Sequence, residues 1–196
     1  MKKLALLISA VLSASALAGY TYTYTTGMDF GDLTLNGSES IFVDGGGGHY
    51  LTLFDYTYAN VQKTSFLISE GNGGIWLLGL ASYSSLDLLG GQIHHLDLTS
   101  YAQAKLSGGQ IDLLSSTQNA TYIKHIEIVC LVGYVYNSTT RYLTGLWADG
   151  SAFNIKLVNV SGYSNTIDNI KFTVIPEPAS LLLLAVGGML LRHKRS

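Results

Sequence analysis

The chain has little of several residue types, and each shortage excludes a class of protein. Its 196 residues include one cysteine and two prolines, and only 12% of them are charged. A single cysteine excludes an internal disulfide framework and any cysteine-rich zinc or iron–sulfur site. No apolar run reaches the ~18 residues of an ordinary membrane-spanning helix, which excludes a multi-span membrane protein. The length predicts one domain or two small ones.

Positive charge is scarce once the two ends are set aside. The formal net charge of the whole chain is −2, but residues 19–178 carry six lysines and arginines against all 13 acidic residues, a net charge of −7. Phosphate binding requires a basic surface, so an acidic body excludes a nucleic-acid partner.

The N-terminus has the three parts of a secretory signal peptide. Met1-Lys2-Lys3 is followed by an apolar run and then by Ala16-Leu17-Ala18. Small residues at Ala16 and Ala18 suit the signal-peptidase site, so we expect residues 1–18 to be removed and Gly19 to become the N-terminus. The expected partners are the Sec translocon and signal peptidase. The alternatives are a retained membrane anchor or a buried first helix.

The C-terminus, residues 176–196, is also tripartite. Pro176-Glu177-Pro178 precedes an apolar run of 13 residues, and a basic tail contains Arg192, Lys194 and Arg195. As a helix, the run would cover roughly 20 Å at ~1.5 Å per residue, against ~30 Å for a hydrocarbon core. It predicts a transmembrane helix that is held only transiently, with the basic tail as stop-transfer charges. The alternative is a plain single-pass tail anchor.

This C-terminal segment closely resembles the PEP-CTERM sorting domain of exported bacterial proteins. The resemblance implies recognition of Pro176, Glu177 and Pro178 by an exosortase-type processing enzyme at the outer face of the inner membrane. It also implies a Gram-negative-type bacterium that makes extracellular polysaccharide. The expected location is therefore a transient inner-membrane anchor, followed by the cell surface or the extracellular space.

An internal repeat with an offset of 18 residues occupies the middle of the chain. Residues 80–93 align with residues 98–111, and Ser82-Tyr83 and Gly90-Gly91-Gln92-Ile93 recur unchanged. Apolar residues alternate within each unit, which predicts strands with one buried face. Units that cannot bury this face alone must stack on their neighbours. Residues 19–118 are therefore predicted to form a β-solenoid-like repeat region, in which the segment from Leu33 to Leu67 shows no clean register.

The repeat resembles the GGxI repeats of PEP-CTERM proteins with a pectate-lyase-like, right-handed β-helix. Residues 119–175 read instead as an antiparallel cap, with an Asp-Gly hairpin turn at Asp149-Gly150. The expected fold class is all-β: a short right-handed parallel β-solenoid with coils of about 18 residues, followed by a small antiparallel cap and flanked by two apolar targeting helices.

Motifs of catalysis are absent from the sequence. There is no G-x-S-x-G, H-E-x-x-H, P-loop or G-x-G-x-x-G pattern. His94 and Asp112 would lie on neighbouring strands, either as a solvated ladder or as a metal or acid–base pair. Asp87 is replaced by Lys105 one repeat later, so no carboxylate cluster recurs. We therefore expect no enzyme activity, no cofactor and no metal, including at the glycine run that follows Asp44.

Three functions follow from these observations. The first is a non-enzymatic surface or matrix protein, the second is a module that binds extracellular polysaccharide, and the third is a polysaccharide lyase or hydrolase. Tyr20, Tyr22 and Tyr24 predict an edge strand or a row of sugar-stacking rings. Tyr83 and Tyr101 should stack on each other, and Cys130 should be a buried apolar residue.

Overall fold

A computed structural model of the chain describes residues 19–64, 74–118 and 124–176. Within these residues, the strands form two sheets, and the only helical segment is one 3₁₀ turn over Thr166–Asn169. Consecutive strands from β1 to β11 alternate between the two sheets, so that odd-numbered strands enter one sheet and even-numbered strands enter the other.

The first sheet has seven strands, and all of its pairings are parallel. In spatial order these strands are β1 (Tyr22–Thr25), β3 (Ser40–Gly46), β5 (Tyr58–Thr64), β7 (Ser85–Leu88), β9 (Gln103–Leu106), β11 (Ile126–Leu131) and β15 (Ile170–Ile175).

The second sheet has eight strands and combines both kinds of pairing. In spatial order these strands are β12 (Val135–Asn137), β13 (Tyr142–Leu146), β14 (Ala152–Asn159), β10 (Gln110–Ser116), β8 (Gln92–Leu98), β6 (Ile75–Leu80), β4 (Gly48–Leu53) and β2 (Asp32–Leu35). Only β12, β13 and β14 pair antiparallel.

The inner faces of both sheets contribute to one apolar cluster. Its regularity comes from the sequence, because the offsets of 18 and 27 residues between paired strands place like side chains side by side. In the eight-stranded sheet this forms a column of leucines that are at most 1% exposed: Leu35, Leu53, Leu80 and Leu98. Burial of each such side chain stabilises the fold by about 1.5–3 kcal/mol.

The register explains why the repeat is hard to see before residue 74. β2 pairs with β4, and β3 with β5, at the same offset of 18 that relates β8 to β10. Between β4 and β6 the offset is 27, as it is between β5 and β7. The nine extra positions correspond to residues 65–73, which lie outside the described residues.

The expected fold class is wrong in its solenoid and in its flanking helices. The strands form two sheets, one wholly parallel and one mostly parallel, and the parts of the chain that are described contain no α-helix. Apolar alternation and a constant offset determine which strands pair. They do not determine the path that the chain takes from one sheet to the other, or the handedness of that connection.

The antiparallel cap predicted for residues 119–175 is wrong for most of that segment. β11 and β15 extend the seven-stranded sheet in parallel, and β14 pairs in parallel with β10. The local sequence pattern correctly predicted the hairpin of β13 and β14. Its inward side chains Phe153, Ile155 and Leu157 are buried. It could not show pairing across 43 residues, such as Leu113 with Lys156. The proposed boundary at residue 118 stays a prediction.

The expected transmembrane helix is likewise contradicted. Across residues 19–64, 74–118 and 124–176, no helix is long and apolar enough to cross a membrane. The two segments interpreted as targeting signals, residues 1–18 and nearly all of 176–196, lie outside the described residues, which include only Pro176 of the second segment.

Candidate functional site: a groove beside His94 and Asp112

Most of the predicted sorting residues lie outside the described part of the chain. These are Ala16, Ala18, Glu177, Pro178, Arg192, Lys194 and Arg195. The two that are described, Gly19 and Pro176, are exposed at its two ends. Their roles in processing stay predictions, and the candidate site described below is separate from them.

The structure confirms that His94 and Asp112 lie side by side. β8 and β10 pair with Ile93 opposite Ile111, which places the next residue of each strand on the outer face. His94 Nδ1 lies 2.9 Å from Asp112 Oδ2, and the two side chains are 24% and 27% exposed. Gln110 donates from Nε2 to the other carboxylate oxygen at 3.1 Å. Both oxygens of Asp112 are therefore held in place.

An aromatic row extends from this pair along the sheet. The ring of His94 stacks on Trp76 with centroids 4.1 Å apart, and His49 lies on the far side of the indole at 6.4 Å. His49 Nδ1 in turn lies 3.3 Å from Asp32 Oδ1. Each imidazole is thus oriented through Nδ1 by a carboxylate. Among the described residues neither Nε2 atom has a partner, so both remain able to bind a ligand group.

A groove opens beside His94 because two strands diverge. β10 and β14 pair only from Leu113 with Lys156 to Ser116 with Asn159. The first three residues of β10 have no partner on that side within the described chain, while the same half of β14 pairs on its other edge with β13. The resulting open groove has a volume of about 580 Å³ and is lined by polar groups that include His94, Gln110, Asp112, Tyr142, Asn154 and Lys156.

The groove's side chains can exchange many hydrogen bonds with a ligand. Asp112 accepts, Lys156 donates, and the amide of Asn154 and the phenol of Tyr142 can do both. The apolar side chain of Leu113 and the ring of Tyr142, which is 38% exposed, add surface for stacking. Sites of this kind, with apolar walls and a few convergent polar groups, bind small molecules or segments of polymers.

The same groove lacks the arrangement that glycoside hydrolysis requires. That reaction ordinarily uses two carboxyl groups flanking the bond to be broken. Among the groove's described residues, Asp112 is the only carboxylate, and it is already held by His94 and Gln110. The described residues also contain no group of three or more histidine, cysteine, aspartate or glutamate side chains that could hold a metal ion.

The sequence points to His95 and Asp97 as ionisable neighbours of His94, but sequence reasoning missed Ser115, which joins them in a second polar cluster on the outer face. The hydroxyl of Ser115 donates to Asp97 Oδ1 at 2.5 Å, and His95 Nε2 lies 2.8 Å from the same hydroxyl oxygen. In a serine-protease triad the serine proton goes to histidine, whereas here it goes to the carboxylate. Ser115 is only 3% exposed. The cluster therefore secures the sheet and does not supply a nucleophile. Only the offset of 18 between Asp97 and Ser115 could have indicated it.

The seven-stranded sheet has a smaller groove of about 290 Å³. Its register places Asp87, Lys105, Glu127 and Lys171 in a row of alternating charge. Tyr58 donates to Asp87 at 2.8 Å, and the pKa of Glu127 is lowered by a hydrogen bond from Thr173 and by Lys171 and Lys105. These carboxylates have partners from their own sheet, which makes this row a cross-strand ladder.

The remaining residues singled out from the sequence have structural positions. Tyr22 and Tyr24 are half-buried on β1, the edge strand of the seven-stranded sheet, so the edge-strand interpretation is confirmed. Gly48 in the glycine run lies directly against the ring of Phe30. Cys130 is buried and unpaired, and burial raises the pKa of its thiol. This confirms its interpretation as an apolar residue.

Comparisons with known proteins identify no relative. No protein-family model matches the chain, and neither a curated protein nor a solved structure matches it.

Proposed function

We propose that this chain is an exported, non-enzymatic protein of the cell surface or extracellular matrix that binds extracellular polysaccharide in the groove beside His94. The observation that favours binding is the divergence of β10 from β14, which opens a polar groove next to the aromatic row. A purely structural matrix role does not require such a groove, and a lyase or hydrolase would require further catalytic groups.

The chemistry of a sugar chain matches that of the groove. Pyranose rings offer many hydroxyl groups and an apolar face that stacks on aromatic side chains. Tyr142 can supply the stacking surface, while Asn154, Lys156 and Asp112 can exchange hydrogen bonds with hydroxyls. Because residues 19–178 carry a net charge of −7, repulsion disfavours strongly anionic polymers at low salt. We therefore expect neutral or weakly acidic polysaccharide to bind better.

Affinity electrophoresis of the purified full-length chain tests this binding. Gels containing a neutral glucan or a uronate-rich polysaccharide should retard the wild-type protein, most strongly in the neutral gel. Tyr142→Ala and Asn154→Ala should each weaken binding about 5- to 30-fold, the equivalent of 1–2 kcal/mol. Tyr163→Ala is the matched control, since Tyr163 is 48% exposed and lies outside the groove. Equal retardation of all variants, or none for the wild type, would overturn the proposal.

The export part of the proposal rests on the two ends of the sequence. The Sec translocon and signal peptidase would process residues 1–18, and an exosortase-type enzyme would recognise Pro176, Glu177 and Pro178. Mass spectrometry of both ends of the exported protein tests this directly. The expected N-terminus is Gly19, and the C-terminal tail should be missing. An intact tail on the exported protein, or unchanged maturation when all three motif residues are replaced by alanine, would contradict it.

A further inference from the structure

One row of backbone corners repeats along the structure. Each corner contains a residue in the left-handed region, and their φ angles lie between 56° and 68°. The carbonyl oxygen of each left-handed residue accepts a hydrogen bond from a backbone N–H of the next corner. The donor is the residue directly after the left-handed residue of that corner, and the distance is 2.9 Å in all three steps. These left-handed residues are Gly37, Asp55, Ser82 and Ser100. Side chains at equivalent positions of successive corners are therefore held in line.

Three successive corners place a tyrosine directly after the left-handed residue. Tyr56, Tyr83 and Tyr101 form a continuous stack whose neighbouring ring centroids are 5.3 Å apart, with planes within 8° of parallel. The side chains are 71%, 55% and 61% exposed, so the stack stands out from the corner. We call these three residues the tyrosine ladder.

The phenol groups of the ladder make no hydrogen bond to a described residue, whereas those of Tyr22 and Tyr58 do. Tyr22 donates its hydroxyl to Glu39, and Tyr58 donates to Asp87. Within the described residues, no hydrogen bond involves a ladder hydroxyl. The ladder thus presents three oxidisable phenols with exposed ring edges; both faces of Tyr83 and one face of each end ring are covered by stacking.

We propose that the tyrosine ladder is a site of oxidative phenol coupling that links two copies of this chain. The oxidant is hydrogen peroxide used by a haem peroxidase. Each of two tyrosines gives up one electron and one proton, and the peroxide is reduced to two molecules of water. The two phenoxyl radicals join through a carbon–carbon bond between ring carbons ortho to oxygen. The two displaced ring hydrogens return as protons to the phenol oxygens, leaving one dityrosine.

Stacking favours the ladder over isolated tyrosines. An electron lost from one ring can be replaced from a neighbour 5.3 Å away, so a radical formed at any rung can move to the one that meets a partner. Stacking also directs the new carbon–carbon bond away from the ladder. The new bond lies at the ring edge, and rings held face to face in one ladder cannot form it without leaving the stack. A second chain can approach the exposed edges.

Treating the purified full-length chain with peroxidase and hydrogen peroxide tests the proposal. We expect a covalent dimer on a denaturing gel, the fluorescence of dityrosine, and cross-linked peptides containing Tyr56, Tyr83 or Tyr101. Replacing all three with phenylalanine keeps the stacked rings but removes the phenols, and it should abolish the dimer. The matched control replaces Tyr50, Tyr134 and Tyr163 with phenylalanine; these side chains are 37%, 37% and 48% exposed, and the change should leave the dimer unchanged.

Peptide mapping of the wild-type product keeps the test decisive even if a triple variant folds poorly. Cross-links that map to other tyrosines, or to two rungs within one chain, would overturn the proposal, as would equal dimer formation by the ladder variant. The experiment requires neither polysaccharide binding nor C-terminal processing, so its result is independent of the function proposed above.

Discussion

Trp147 donates its indole N–H to the backbone carbonyl of Gly109 over 2.8 Å. The tryptophan is fully buried and packs on Phe153, with ring centroids 4.4 Å apart. Gly109 belongs to the second Gly-Gly corner of the repeat. This hydrogen bond therefore fastens the antiparallel hairpin to the parallel strands beside the point where β10 and β14 diverge.

Replacing Trp147 with phenylalanine should detach the hairpin from that corner. The smaller ring leaves a cavity and an unpaired carbonyl, and we expect a loss of about 2–4 kcal/mol in the free energy of unfolding. Urea denaturation measures the change. Because the groove depends on the same hairpin, polysaccharide retention should fall as well. A variant as stable as the wild type would show that this hydrogen bond does not secure the hairpin.

Both glycines of the repeat corner lie against backbone atoms, and Gly109 also has a φ of 87°. A Cβ on Gly108 would overlap the carbonyl oxygen of Leu89, and a Cβ on Gly109 would lie 2.8 Å from that of Gly91. Gly109→Ala should cost about 1–3 kcal/mol in backbone strain, and Gly108→Ala should cost more because backbone atoms must move. Gly79→Ala is the control, since its Cβ would meet side chains at 3.7 and 3.8 Å, an ordinary contact distance. Thermal unfolding should show the largest loss of stability for Gly108→Ala, a smaller loss for Gly109→Ala and the smallest for Gly79→Ala.

Ser84 carries a buried hydroxyl that has no hydrogen-bond partner among the described residues. The equivalent position in the next corner is Ala102, which is equally buried. Ser84→Ala should therefore raise the free energy of unfolding by about 1 kcal/mol, because an unsatisfied polar group is removed. Ser116→Ala should do the opposite, since that buried hydroxyl donates to Gln118 and accepts from Asn169. Equal effects of the two substitutions in urea unfolding would be inconsistent with this structure.

Stability should decline as pH falls from about 7.5 to about 5.5. Burial lowers the pKa of His125 and of His95, so the unfolded chain takes up protons first as acid is added. The stability that these two neutral histidines contribute is fully present above the unfolded-state pKa of about 6.5, and it is lost as the pH falls below that value. His125 Nδ1 is buried and has no partner in the part of the chain that the structure describes, and His125→Gln should reduce the decline measured by urea unfolding at the two pH values. An unchanged slope would show that His125 does not contribute.

Residues that recur unchanged 18 positions later correctly predicted which strands of the repeat pair. The recurrence of Gln92-Ile93 at Gln110-Ile111 gave the register of β8 and β10, and with it the contact between His94 and Asp112. The stacking of Tyr83 on Tyr101 is confirmed for the same reason. The rung at Tyr56 was missed, because nine extra residues separate it from Tyr83 beyond the usual offset.

Where only apolar character repeats, the sequence was less informative. β3 and β5 align Ile41 with Ala59 and Phe42 with Asn60, a similarity that does not show in the letters. The groove was not predictable at all, because it depends on β14 pairing with β10 over only the second half of its length. No local pattern in residues 110–116 records that divergence.

The change of offset from 18 to 27 residues between Thr64 and Gly74 has a practical consequence for engineering. The sheets keep their pairing on both sides although nine more residues connect them there. The strand register is therefore compatible with a longer connection at this position, and we expect an affinity tag or a foreign epitope inserted between Thr64 and Gly74 to leave both sheets paired.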